Sequence, residues 1–155
     1  TPDANTLVVG ADGDDSNSST APDDNSASDS GAVHVFAHPG ATWVEAAFVK
    51  AAAPVAGDGF GLALAIGSSL VIGAPNEANA TGGAYVFDMA GAFTHHLTAA
   101  NAAAGDKFGT AVAVASGGAT TLAASAIAED SSATGVDGDG ANDDALDSGA
   151  AYVFR

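Results

Sequence analysis

Gly57-Asp58-Gly59-Phe60-Gly61-Leu62-Ala63-Leu64-Ala65 returns 48 residues later as Gly105-Asp106-Lys107-Phe108-Gly109-Thr110-Ala111-Val112-Ala113. Return at a fixed spacing marks a repeat protein, in which each unit hides its apolar surface only against its neighbours. Other elements recur around this one. Thr6-Leu7-Val8-Val9-Gly10-Ala11 matches Ser69-Leu70-Val71-Ile72-Gly73-Ala74-Pro75 and, in degraded form, Thr121-Leu122-Ala123-Ala124-Ser125-Ala126. Ser30-Gly31-Ala32-Val33-His34-Val35-Phe36 matches Gly82-Gly83-Ala84-Tyr85-Val86-Phe87 and Ser148-Gly149-Ala150-Ala151-Tyr152-Val153-Phe154. Residues 43–50 and 93–98 form the last element, opening on Trp43 and Phe93.

With the elements lettered A to D, the chain reads B-C-D, A-B-C-D, A-B-C. Each is short, rich in Val, Leu and aromatic residues, and bounded by Gly, Asp, Asn or Ser, which predicts strands. The expected fold is all-β and antiparallel, with about two and a half repeats: residues 6–51 (partial), 57–100, and 105–154 (partial). Ala51–Ala56 contains Pro54 and runs into Gly57, so it reads as a loop. The A-to-B links, Ile66-Gly67-Ser68-Ser69 and residues 115–119, read as hairpin turns that use Gly at positive φ. The B-to-C link is short in the middle repeat (76–81) and long and acidic in the others (12–29 and 129–147).

Phe60-Gly61 followed by Gly73-Ala74-Pro75 and Gly83-Ala84-Tyr85-Val86-Phe87 resembles the FG-GAP repeat of bacterial proteins and of integrin α-chain N-terminal blades. The resemblance runs from Thr6 to Phe154. It implies four-stranded antiparallel blades of a β-propeller, and a family associated with cell-surface adhesion, ligand recognition and Ca²⁺ binding. The third repeat departs from the pattern, with Ala126-Ile127-Ala128 where Gly-Ala-Pro is expected. The integrin-type Ca²⁺ loop lies between A and B, where this chain has a short Gly/Ser turn, so those sites do not carry over by position. Two and a half blades cannot close a propeller. The expectation is therefore a piece of a larger chain, or a homo-oligomer joined through open blade edges; a start at Thr1 suggests a processed product or fragment.

Composition narrows function. Nineteen acidic residues stand against three basic ones, Lys50, Lys107 and Arg155, for a formal net charge of −16. Nucleic acid and anionic lipid both require basic surface, which is missing. No apolar run approaches the length of a membrane helix, so no membrane insertion is expected. Without cysteine there is neither disulfide framework nor thiolate metal site.

The long loops hold most of the carboxylates. Asp137, Asp139, Asn142, Asp143 and Asp147 in the third repeat, and Asp12, Asp14 and Asp24 in the first, are candidate Ca²⁺ ligands, because Ca²⁺ takes six to eight oxygens in flexible geometry. The competing reading is a solvated loop whose Asp and Asn side chains cap turns. Asp58 and Asp106 read as turn caps bonding backbone two residues on. His34 takes the place of the C-element Tyr, and His95 and His96 point to opposite faces of one strand. Trp43 reads as a residue packing one unit on the next, and Phe60 and Phe108 as buried equivalents. No catalytic constellation or cofactor motif stands out. The expected function is a non-enzymatic, extracellular or cell-surface recognition or adhesion module for a protein or glycan ligand, stabilised by Ca²⁺. The alternatives are a structural subunit of a surface fibre or layer and an enzyme accessory domain.

Overall fold

The computed structural model describes residues 5–115 and 120–155. Among these residues, ten strands form three antiparallel sheets. Sheet one is β1 (Thr6–Ala11), β2 (Ala32–Ala37) and β3 (Val44–Val49), in that order. Sheet two is β4 (Ala63–Ile66), β5 (Leu70–Ala74), β6 (Gly83–Phe87) and β7 (Phe93–Leu97). Sheet three is β8 (Phe108–Ala115), β9 (Thr121–Ala126) and β10 (Ala150–Phe154). The fold is all-β, and its strand content is three, four and three. One short helical turn, α1 (Glu77–Ala80), interrupts the middle B-to-C link, with Ala78 and Asn79 at φ of 53° and 62°.

Alternation along the middle strands explains how the sheets stack, because successive side chains of a strand point to opposite faces. Leu70, Ile72 and Ala74 of β5 and Tyr85 and Phe87 of β6 face sheet one, where they meet Val33, Val49 and Ala51. Val71 and Ala84 of the same strands face sheet three, where they meet Phe108, Ala124 and Ala126. The two middle strands of sheet two are thus covered on both sides, and β5 and β6 are buried along their whole length. The terminal sheets have one covered face each. Leu7 and Val9 of β1 are 47% and 42% exposed, and Val153 of β10 is 61% exposed.

Phe60 and Phe108 are both fully buried. Phe60 meets Tyr85 and Phe87 edge-on at 5.2 and 6.3 Å, and Phe108 meets Tyr152 and Phe154 edge-on at 5.4 and 6.1 Å. The same ring trio is therefore built twice, in the geometry that the aromatic quadrupole prefers. Strand β8 begins at Phe108, whereas β4 begins three residues after Phe60.

The approach of one sheet to the next depends on missing side chains. A Cβ on Gly10 would collide with the backbone oxygen of Gly61, and one on Gly73 with that of Gly109. The third equivalent position is Ser125. Pairing of Val114 with Leu122 in sheet three corresponds to Ile66 with Leu70 in sheet two, which sets Ser125-Ala126-Ile127 opposite Gly73-Ala74-Pro75, as the match of residues 121–126 to 69–74 has it and one residue before Ala126-Ile127-Ala128.

Two further readings are corrected. Trp43 lies just before β3, is 46% exposed, and leans on His38 at 4.9 Å instead of filling an inter-sheet core. Gly67 is not at positive φ; the β4–β5 turn closes through its N–H donating to the carbonyl of Ser69. The corresponding β8–β9 link falls at residues 116–119, outside the described residues.

Candidate functional site

All three B-to-C links emerge at the same end of the stack, and backbone hydrogen bonds join them into one rim. Gly57, Gly59 and Phe60 donate their N–H groups to the carbonyls of Ser28, Asp29 and Ser30 at the end of the first loop. The carbonyl of Asp58 then accepts from Asn76, at the start of the middle link. One unit on, Gly105 and Lys107 donate to the carbonyl of Ala80 and Phe108 to that of Thr81, while the carbonyl of Asp106 accepts from Ala128 at the start of the third loop. The Gly-Asp-x-Phe-Gly stretch is therefore the splice between loops. Its aspartates turn the chain from within: Asp58 Oδ2 accepts from the N–H of Val55 at 3.2 Å, and Asp106 Oδ2 from that of Ala103 at 2.8 Å. These bonds reach three residues back, not two residues on. Burial raises the pKa of Asp58 despite that bond, and the charge of Glu77 adds to the rise.

The two long loops share a stem. Asp14-Asp15-Ser16 with Ala27-Ser28-Asp29-Ser30-Gly31 corresponds to Glu129-Asp130-Ser131 with Ala145-Leu146-Asp147-Ser148-Gly149. In loop one the Asp29 N–H donates to Asp15 Oδ1 at 2.9 Å; in loop three the Asp147 N–H donates to Asp130 Oδ1 at 2.7 Å. Ser30 Oγ donates to the carbonyls of Asp14 and Ser16, and Ser148 Oγ to those of Glu129 and Ser131. Gly31 and Gly149 donate to the carbonyls of Asp14 and Glu129, and both Asp29 and Asp147 take φ of 53°. Satisfying so many backbone groups inside the loop holds it without regular secondary structure. The signal was present in the sequence as two near-copies of Asp-Ser…Asp-Ser-Gly, but the differing spacers hid it.

A second repeated position is the acid three residues past each B strand: Asp14, Glu77 and Glu129. Each has a different partner. Asp14 Oδ1 meets the buried Lys50 Nζ at 3.0 Å, and Lys50 also donates to Ser30 Oγ at 2.8 Å. Glu77 accepts from Tyr85 OH at 2.8 Å and lies 3.1 Å from His96 Nε2. Glu129 accepts from Asn101 Nδ2 at 2.7 Å and from Ser131 Oγ at 2.9 Å, and Tyr152 OH donates to Asn101 Oδ1. Burial alone pushes Asp14 and Glu77 upward, but hydrogen bonds from Ser16 and Lys50, and from His96 and Tyr85, outweigh it and leave both carboxyls below their usual range. Burial, and then the neighbouring acids Glu77 and Glu129, push the phenols of Tyr85 and Tyr152 up.

The candidate Ca²⁺ ligands do not converge. Among the described residues, no three His, Cys, Asp or Glu side chains are placed to hold a metal ion. Asp24 accepts from the N–H and hydroxyl of Ser26, and Asp139 from the N–H of Ala141. Asn142 Oδ1 accepts from the N–H and hydroxyl of Ser132. Asp14 is engaged by Lys50, Asp147 is held through its N–H, and Asp12, Asp137 and Asp143 are exposed. As arranged, Asp14, Asp24, Asp139 and Asn142 cap turns, and no preformed cation cage is seen among the described residues.

Histidines are similarly dispersed. His34 lies 2.8 Å from Glu45 and against Phe48, and His96 stacks on Tyr85 at 4.4 Å. His95 lines a cleft of about 430 Å³ between sheets two and three, with Val86, Leu97, Leu122, Phe154 and Arg155. The cleft repeats one of about 80 Å³ between sheets one and two, which the turn Asp88–Gly91 closes. It is an inter-sheet gap, lined by Arg155 where Asp88 lines the smaller one.

No family model matches this chain, and no curated protein is significantly similar to it.

Proposed function

We propose that this chain is a non-enzymatic, extracellular recognition module of FG-GAP propeller type, each sheet serving as one blade. The observation that carries the reading is the shared stem of residues 12–31 and 127–149. It seats two loops of different tips at the same end of the stack, with the middle link between them. A constant frame with variable tips is how repeat folds present binding surface. The rim is strongly acidic, which favours a cationic protein face, or a neutral glycan bound through hydroxyls, over any anionic partner. Ca²⁺ enters this reading only if residues 137–143 draw together around it.

The test replaces residues 132–144 with a Gly/Ser linker and keeps the stem. Wild type and variant are passed over immobilised lysine-rich peptide and a panel of neutral glycans. Retention of wild type, lost in a variant that melts normally, supports the reading. Retention that survives the replacement, or none on any probe, counts against it. Melts in Ca²⁺ and in chelator at matched ionic strength separate a bound cation from charge screening. A second reading, a structural subunit of a surface fibre or layer, is favoured by the place of β1 at the edge of sheet one among the described residues.

A further inference from the structure

We propose that the middle link is a proton-operated latch: the charge of His96 sets how firmly the turn Glu77–Ala80 is held, and through that turn how firmly sheet three seats on sheet two. The inference concerns the join between sheets and stands apart from the loop-recognition reading.

The turn needs holding. Ala78, Asn79 and Ala80 run consecutively at φ of 53°, 62° and 61°. On this left-handed path a Cβ crowds the following carbonyl, and residues other than Gly seldom take even one step of it. No residue of the turn is buried, and the link has none of the Asp-Ser stem that orders the long loops. Glu77 ties the turn to sheet two, one oxygen accepting from Tyr85 OH at 2.8 Å and the other lying 3.1 Å from His96 Nε2.

The sheet is altered to receive that carboxylate. Pairing sets Phe48 beside His34 in sheet one and His96 beside Tyr85 in sheet two, so His96 stands where sheet one has Phe48. Gly83 stands where the other units have Ala32 and Ala150, and a Cβ there would run into Glu77 Oε2 and His96 Nε2. Glu77, Gly83 and His96 form one fitted set. The far side of the turn is the seat: the Ala80 carbonyl accepts from the N–H groups of Gly105 and Lys107 at 3.2 and 2.8 Å, and the Thr81 carbonyl from that of Phe108 at 3.0 Å. Phe108 opens β8, the first strand of sheet three.

The ionisable groups around the pair are Tyr85 from β6 and Asp58 from the segment before β4. An imidazolium adds a charge attraction to Glu77 that the neutral ring lacks, and histidine makes that change between about pH 5 and 8. Burial raises the Glu77 carboxyl, but the bonds from His96 and Tyr85 outweigh it and leave it below its usual 4.5, so it stays charged across that range. The Tyr85 phenol, pushed up by burial and then by Glu77, stays neutral. Burial, and then the charge of Glu77, raise the Asp58 carboxyl; its protonation at the acid end removes a repulsion from Glu77 and acts in the same direction as His96. The latch is therefore tight at the acid end of the range and slack at the alkaline end.

The experiment measures hydrogen-exchange protection of the Gly105, Lys107 and Phe108 amides in the full chain by NMR, at about pH 5.5 and about pH 8, corrected for intrinsic exchange at each pH. The Ala27 and Gly31 amides inside the first loop are the reference. Protection at the middle seat is expected to be about threefold higher at the acid pH, as for a partly exposed ion pair, with no matching change at the reference. The change should follow the titration of the His96 ring. It should vanish in His96→Gln, which keeps a donor to Glu77 without the charge, and in Gly83→Ala, which displaces the pair by placing there the residue that the other units carry. An equal change at the reference, a change that survives either variant, or no change at the seat would each overturn the proposal.

Discussion

The stem of residues 12–31 lies under the segment Gly57–Phe60, which caps its carbonyls at Ser28, Asp29 and Ser30. The stem of residues 127–149 carries no such segment among the described residues, yet holds the same internal bonds, with Asp147 in the same backbone conformation as Asp29. The loop fold therefore belongs to its own sequence. The neighbour uses carbonyls that the stem has already turned outward, so docking of the next unit follows from the loop and does not create it. Where the loops differ is beneath: loop one sets a carboxylate against the Lys50 ammonium, loop three sets one against the Asn101 amide and the Ser131 hydroxyl.

The largest expected effect tests the neighbour's share. Phe60→Ala and Phe108→Ala should each cost about 3–5 kcal/mol, as for any fully buried ring. Phe60→Ala should also raise the hydrogen-exchange rates of the Ala27 and Gly31 amides toward those of Ala145 and Gly149. If loop one then still exchanges more slowly, the neighbour adds nothing to its rigidity.

Next comes the buried charge. Asp14→Ala leaves the Lys50 ammonium enclosed without its counterion, and should cost about 3 kcal/mol. Glu129→Ala removes an acceptor from Asn101, which keeps the Gly140 carbonyl at 2.8 Å, and should cost about 1–2 kcal/mol. Equal losses in urea melts would show that Lys50 is better solvated than its burial implies. The Asp14 carboxyl is held below its usual 3.8 in the folded state. Its contribution is therefore complete above that value and is lost as pH falls through the lower folded value. Asp14→Asn should flatten that part of the acid limb.

The smallest effect separates stem from surroundings. Ser148→Ala should cost about 1 kcal/mol for its backbone hydrogen bonds. Ser30→Ala should cost somewhat more, because Lys50 loses an acceptor as well. A much larger gap between the two would mean that the stems are not independent of what lies beneath them.

Repetition made the strands legible. Val, Leu and aromatic residues alternating between Gly and Asp turns dictate strands locally, and the twin Phe-Gly pairs announced two equivalent buried rings before any coordinate. The B-C-D, A-B-C-D, A-B-C reading matches strand content sheet by sheet. Other features depended on residues distant in the chain. Nothing in residue order marks Lys50 for burial; Asp14, 36 positions away, is folded against it. The loop aspartates read as candidate metal ligands because composition reports oxygen content and not direction; the fold sets Asp14, Asp24 and Asp139 on nearby N–H groups. Trp43 reads as core by size, and only the stacking of the sheets leaves its strand end uncovered. Ser125 reads as a degraded repeat position until Gly10 and Gly73 show that a backbone carbonyl must pass there. Periodicity is a local property and can be read from order alone. Which polar groups meet, and which face stays open, is set by the close approach of whole sheets, where a single Cβ decides.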